Sequence, residues 1–240
     1  MSMLVNPYSV APAGPSDPNF SSVVLLLHFD GANGATTTTD SSAAAHAMTG
    51  VTGLVLSSAQ AKFGATSSDF SGAGGGNAWT TPDSADWDFG SGLFTVECFV
   101  RANSSISSGN FAFVSQYPGS GSTNAWSLCI VGGQLSFYYS TNGSQNNTRV
   151  NGTWSPSTNT WYHVAADRDA GGVLRVYVDG SVIASATVSS TFFNPSRILS
   201  IGSDTFSARL PGYMDEVRIT KGVARYAGAF TPPSAAFPDS

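Results

Sequence analysis

From residue 22 onward the chain repeats one pattern. Short apolar or alternating runs are separated by segments dense in Gly, Ser, Thr and Asn. Phe94, Val96, Cys98 and Val100 alternate with Thr95, Glu97, Phe99 and Arg101, the period of two that sends successive side chains to opposite faces of a strand. The same reading predicts strands over residues 22–29, 94–101, 111–116, 125–131, 134–140, 161–168, 173–178, 182–188, 198–202 and 212–220. Gly132-Gly133 and Asp179-Gly180 fall between neighbouring runs, where a two-residue hairpin needs positive φ. Strict alternation sets Tyr213, Asp215, Val217 and Ile219 against Met214, Glu216, Arg218 and Thr220. It likewise sets Trp161, His163 and Ala165 against Tyr162, Val164 and Ala166. One helical turn is predicted over 221–226, but no window of helical length holds a 3.6-residue period. Ten or more short strands with uneven loops and no repeat predict an all-β fold, a two-sheet antiparallel jelly-roll sandwich.

The first twenty residues break this pattern with prolines at 7, 12, 15 and 18. They read as an extended arm, polyproline-like where the prolines cluster. The expected organisation is a Pro-rich arm over 1–20 and one domain over 21–240. The glycine runs near residues 72–77 are loop tips within that domain, since strands resume on either side.

Composition changes the picture in one respect: only 10% of the residues are charged, whereas 37 serines and 21 threonines supply about a quarter of the chain. The surface is therefore wetted by hydroxyls and amides instead of ions. An apolar content of 41% with 15 Phe, 8 Tyr and 5 Trp excludes wholesale disorder. A net charge of −5 with two lysines, Lys62 and Lys221, excludes a phosphate-reading surface, so nucleic acid is not an expected partner. The longest apolar run, residues 23–27, is too short to span a bilayer, and the N-terminus lacks the basic and apolar regions of a secretory leader. No membrane partner is expected.

Candidate chemistry is sparse. Glycoside hydrolysis needs two carboxyl groups flanking one bond. The two glutamates, Glu97 and Glu216, lie 119 positions apart, Glu97 reads as a solvent-facing strand residue, and alternation points Asp215 and Glu216 to opposite faces. No Ser occupies a G-x-S-x-G elbow, and His28, His46 and His163 show no metal-ligand spacing. No catalytic and no metal-ligating residue is therefore assigned, and a non-enzymatic protein is expected. Cys98 and Cys129 each lie in an apolar run and read as buried thiols, with a bridge as the alternative. Arg101, Arg175 and Tyr177, on the more polar faces of their strands, are the conditional candidates for a carbohydrate contact. The competing reading puts Tyr177 in the core and the arginines in solvent.

Several segments resemble the laminin-G-like jelly roll of the concanavalin A-like lectin/glucanase superfamily. They are LLLHFDG (25–31), AKFGATSSDF (61–70), SADWDFGSGLFTVECFV (84–100), WYHVA (161–165), VLRVYVDG (173–180), GYMDEVRITKGVARY (212–226) and FTPP (230–233). They most resemble the version common in bacteriophage structural proteins. The resemblance implies a virion structural or decoration protein on a phage capsid or tail, assembled in the host cytoplasm and in contact with other virion proteins. A host-surface glycan is a possible partner. The arm itself, with Met3, Leu4, Val5, Tyr8 and Val10 as apolar anchors pinned by proline, is expected to join the protein to its neighbours in a homo-oligomer, a frayed terminus being the competing reading. A free lectin-like carbohydrate-binding module is the alternative, and a glycan hydrolase the third choice. The resemblance also raises a calcium ion as a possible cofactor, at the positions matching the family's acidic turn residues, Asp30, Asp40 and Asp215. Asp30 before Gly31 is equally an ordinary turn former and Asp40 before Ser41 can close an Asx turn, and no cofactor is assigned.

Overall fold

A computed structural model describes residues 16–50, 53–72, 78–118, 121–144, 148–204 and 209–240. Most of the expected arm, residues 1–15, and the loop tip at 73–77 lie outside the described residues. The strands run in chain order β1 (Val23–Leu27), β2 (Thr49–Gly50), β3 (Val55–Ser57), β4 (Ser67–Asp69) and β5 (Trp79–Thr81). Then come β6 (Phe94–Ala102), β7 (Asn110–Ser115), β8 (Trp126–Val131), β9 (Gln134–Tyr139) and β10 (Arg149–Thr153). The last five are β11 (Trp161–Arg168), β12 (Val173–Val178), β13 (Ser181–Thr187), β14 (Leu199–Ile201) and β15 (Gly212–Lys221).

These strands make two antiparallel sheets packed face to face. One has eight strands in the order β13-β12-β11-β6-β15-β4-β3, with β1 also paired to β15; the other has seven in the order β10-β9-β8-β7-β14-β5-β2. The predicted all-β jelly-roll sandwich is the observed architecture. Both predicted hairpins form: Gly132 and Gly133 take φ of 58° and 77°, Asp179 and Gly180 of 45° and 76°. At Gly180 only hydrogen fits, because a Cβ there would stand 1.8 Å from the Phe230 carbonyl oxygen.

The core lies between the sheets. Val96, Cys98, Val100, Val164, Ala166, Leu174 and Val176 face Trp126, Leu128, Ile130, Leu135, Phe137, Leu199 and Ile201 across it. Phe89 stacks on Phe94 at 4.3 Å and on Trp126 at 4.8 Å, and Phe137 continues the stack. Each such ring contributes about 2–3 kcal/mol by burial. At one end of the core the fully buried Arg168 donates to the carbonyls of Phe89, Gly90, Gly92 and Ser190 and lies 4.3 Å over Phe192. Burial pushes its guanidinium down to about 10.

Three expectations about local structure fail for identifiable reasons. β2, β3, β4, β5 and β10 were not legible: four are two or three residues long, and β10 (RVNGT) is polar, so none shows a period. The helical turn over 221–226 does not form. Its backbone donors go instead to the sheet: Arg225 N–H to Thr95 Oγ1, Tyr226 and Ala227 N–H to Asp167 Oδ2. Strict alternation in β15 is broken by a bulge between Asp215 and Arg218, with Glu216 at φ 51°. The extra residue shifts the phase, so Met214, Val217 and Ile219 all reach the core.

Candidate functional site

The two sheets present two outer faces, and the outer face of the eight-stranded sheet is closed. Glu97, expected in solvent, is 0% exposed. One of its oxygens takes Arg218 (Nε 2.9 Å, Nη2 2.8 Å), and the other takes His163 Nε2 (3.0 Å) and the Tyr226 hydroxyl (2.5 Å). The correction has a plain cause: residues 222–240 run back over this face and cover it. Burial alone would raise Glu97, but the Arg218 charge with the His163 and Tyr226 hydrogen bonds outweighs it and holds the carboxyl down at about 2. Asp17 bridges Arg218 (3.2 Å) and Arg225 (2.7 Å), and its N–H donates to the Ser240 carbonyl (2.8 Å). Burial opposes its ionisation too, and the Arg225 contact prevails, so its carboxyl sits below the usual range. Phe20, Phe63, Phe99 and Phe237 form a small apolar cluster on this face, and Arg218 lies 3.8 Å over the Phe237 ring.

The bulge in β15 also corrects the assignment of Asp215 and Glu216 to opposite faces. Asp215 Oδ2 accepts from the N–H groups of Lys62 and Phe63, while Glu216 accepts from His28 Nδ1 and the Phe237 N–H. Since Phe63 and Phe237 belong to the same outer cluster, both carboxylates serve that layer. Asp215 is pushed up to about 8 by burial, the neighbouring Glu216 adding to the effect against the bonds from its N–H partners. His28 is raised: burial opposes this, and the Glu216 contact wins.

The conditional carbohydrate candidates lie on this sheet and are already employed. Tyr177 is 0% exposed, its hydroxyl donating to Asp167 Oδ1 (2.9 Å) and its ring against Tyr226 and Phe230, so it is buried beneath the covering layer and not between the sheets. Arg175 pairs with Asp169 (2.7 Å), and Arg101 bonds Asn103 Oδ1 (2.6 Å) beside the Tyr213 ring. The three acidic turn residues do not come together either. Asp30 accepts from the Ala65 and Thr66 N–H groups, and Asp40 from those of Leu26, Ser42 and His46. Asp215 holds the 62–63 turn. Among the described residues no three acidic, His or Cys side chains form a metal-holding group.

The outer face of the seven-stranded sheet is built differently. Alternation in β8 and β9 sends Leu128, Ile130, Leu135 and Phe137 inward, leaving Ser127, Cys129, Gln134, Ser136 and Tyr138 outward. On β10 the outward residues opposite them are Arg149 (across from Tyr138), Asn151 (across from Ser136) and Thr153 (across from Gln134). Tyr117 and Tyr138 pack at 5.9 Å and are 8% and 7% exposed. Arg149 lies 5.2 Å over the Tyr138 ring, donates through Nη1 to its hydroxyl and through Nε to Asn151 Oδ1 (3.3 Å). Beside Tyr138 in the ladder, Ser127 is 2% exposed, and its hydroxyl, like Thr81 Oγ1, Gln116 Oε1 and His163 Nδ1, has no hydrogen-bond partner among the described residues. A buried unpaired hydroxyl is uncommon enough to require an explanation. Burial pushes the Cys129 thiol up to about 12. Cys98 points into the core and Cys129 to this outer side, so the seven-stranded sheet separates the two free thiols. Sequence reasoning missed Tyr138 and Arg149; the alternation of 134–140 placed Tyr138 among polar neighbours, but β10 gave no strand signal to set Arg149 opposite.

Comparison with known proteins agrees with this architecture. The Laminin_G_3 family, described as concanavalin A-like lectin/glucanases superfamily, matches residues 73–225, more than half of the chain. The chain belongs to this family. No match was found among curated proteins. This Laminin_G_3 chain is also similar to solved binding domains of botulinum neurotoxins. One is that of neurotoxin DC in complex with SialylT (15% identity, TM-score 0.64, 85% of this chain and 50% of that one). Another is the same domain in complex with rat synaptotagmin II (15%, 0.63, 86% and 50%). A third is from neurotoxin type C, described as interacting with two ganglioside molecules (14%, 0.65, 86% and 49%). The chain spans about half the length of these structures, and at such identities the likeness is one of fold.

Proposed function

We propose that this Laminin_G_3 chain is a non-enzymatic, lectin-like binding module carried on a larger assembly, with the seven-stranded sheet's outer face turned to the ligand. The observation carrying this reading is the contrast between the two outer faces. One is sealed by the chain's own residues 222–240; on the other, Arg149, Asn151, Gln134 and Thr153 stay accessible on adjacent strands beside the buried Tyr117–Tyr138 pair. Carbohydrate recognition uses such a mixture of polar groups placed beside aromatic rings. Three solved structures of like fold come from domains described with a sialylated ligand, gangliosides or a protein receptor, which supports a binding role in general terms.

Hydrolysis is disfavoured on geometry. The bulge does bring Asp215 and Glu216 to one side, but both are buried and spend their oxygens on backbone N–H groups and His28. A general acid and base must reach a substrate, and these two lie beneath the outer layer. The assembly we favour is a tailed-phage virion, on the strength of the family resemblance in residues 25–31, 84–100 and 212–226. The segment ahead of Asp17 is the proposed attachment. Among the described residues no helix is long and apolar enough to cross a membrane. Mass spectrometry of purified particles tests the virion reading: the protein should be present at stoichiometric levels, and its absence sinks that reading. A glycan array tests the binding role. A free carbohydrate-binding module, the second reading, is favoured by glycan binding without particle association.

A further inference from the structure

Arg149 is the part of the seven-stranded sheet's outer face that the sandwich does not consume. Arg175, Arg218 and Arg225 each pair with a carboxylate, and the buried Arg168 with carbonyls. Among the described residues Arg149 bonds Asn151 through Nε and Tyr138 through Nη1, with no carboxylate partner and no acceptor at Nη2. It is nevertheless held in place: the Tyr138 ring lies beneath the guanidinium, the Tyr138 hydroxyl takes Nη1, and Asn151 takes Nε. Restraining a half-exposed guanidinium on three sides costs side-chain entropy, and within the fold it returns little. What it gains is orientation. A fixed planar fork with a free edge is the donor geometry that matches a carboxylate or sulfate.

The surroundings narrow the ligand further. From Arg149 the outward positions of β9 and β10 continue as Asn151 with Ser136 and Thr153 with Gln134, a strip of amides and hydroxyls about 14 Å long at strand rise. Asn151, Gln134 and Thr153 are partly or fully exposed. Next to Tyr138 is the unpartnered, buried Ser127 hydroxyl. Held by Tyr138 and Asn151 with no carboxylate paired to it among the described residues, the Arg149 guanidinium favours an anion at its end of the strip. One cation on this face of a chain of net charge −5 does not suit a polyphosphate, which needs many. It suits isolated charges spaced along a neutral, hydroxyl-rich chain.

We infer that this face takes an acidic saccharide, the carboxylate or sulfate of one sugar on the free Nη2 edge of Arg149 and neighbouring hydroxyls along Asn151, Gln134 and Thr153. The inference rests on the sugar-binding reading of this face and adds the ligand's charge and the residue that selects it. The test is an array of sialylated, uronate and sulfated glycans, each printed beside its neutral counterpart and probed with the full chain. Binding should favour acidic members. Arg149→Gln should weaken it by about tenfold or more, as loss of a charge-assisted hydrogen bond does, and Arg149→Lys should retain part of it. Raising the salt to 0.5 M should weaken it as well, about as far as screening allows. Thermal unfolding of each variant controls for folding. Preference for neutral glycans, or undiminished binding by Arg149→Gln, overturns the acidic-sugar inference while leaving the sugar-binding reading intact. Absence of binding to every glycan overturns both.

Discussion

The outer faces of the two sheets solve the same problem in opposite ways. Both belong to sheets whose inner sides are conventional aliphatic and aromatic core, and both carry a Tyr beside an Arg. On the eight-stranded sheet the charged groups are turned into structure: Arg218 pairs with Glu97 and Asp17, Arg225 with Asp17, and His163 Nε2 and Tyr226 with Glu97. Only His163 Nδ1 in this network is left without a partner among the described residues. On the seven-stranded sheet, Arg149 keeps a free edge and Ser127 an unpaired hydroxyl. The difference teaches where to look for function. A charge whose partners are complete is stabilising or specifying, whereas one held in place with donors to spare is poised for something outside the chain.

The most severe way to test this comparison is to remove Glu97. Glu97→Ala leaves the buried Arg218 with Asp17 as its remaining counter-charge and strips His163 and Tyr226 of their acceptor. Breaking a buried pair of this kind costs about 3 kcal/mol. The melting temperature should fall by roughly 10 °C for a chain of this length. A change below about 2 °C would mean the face is far more hydrated than its burial implies. Acid should act on the same group. Its folded value of about 2 lies below the ordinary 4.5, so its contribution is present above pH 4.5 and is lost as pH falls through about 2. That loss amounts to on the order of 3 kcal/mol. Urea unfolding across this range should show the slope in the native protein and a shallower one in Glu97→Ala.

The next effect concerns the N-terminal region. Of the expected arm, Asp17 and the 3₁₀ turn Phe20–Ser22 are seated on the sandwich. Deleting residues 2–15 should leave the melting temperature unchanged, whereas Asp17→Asn should lower stability by about 2 kcal/mol by weakening two charge-assisted contacts. Equal behaviour of the two variants in thermal unfolding would contradict the clasp. On the opposite face the expected changes are small. Ser127→Ala removes a hydroxyl that has no partner, so stability should be unaltered or higher by about 1 kcal/mol; a clear loss would reveal a partner. Smallest of all is the effect of a reducing agent, which should not shift unfolding because Cys98 and Cys129 lie on opposite sides of a sheet.

The long strands and both hairpins were legible because period and turn chemistry are local. So was the choice of faces in β6, where Phe94, Val96, Cys98 and Val100 turn inward. The short strands β2 to β5 were not, since two or three residues cannot display a period and gain their ladder only from neighbours. Glu97 was misplaced because alternation tells which face a residue joins, not whether another segment later covers that face. The bulge at Glu216 was invisible for a related reason: one inserted residue leaves composition intact and shifts only phase. Arg149 escaped notice because its meaning depends on Tyr138, eleven positions away and directly opposite across the ladder.

The chain's sequence by itself determined an all-β sandwich of this family. Period-two burial, Gly-Gly and Asp-Gly turns and an aromatic core are properties of short windows, and they agree with one another. Tertiary structure alone decided which polar groups became internal partners and which stayed available. Whether a carboxylate is catalytic, structural or free depends on what packs over it, and that is fixed by residues as far as 208 positions away, as Asp17 and Arg225 show. Desolvation and charge pairing act through space, so no local pattern records them.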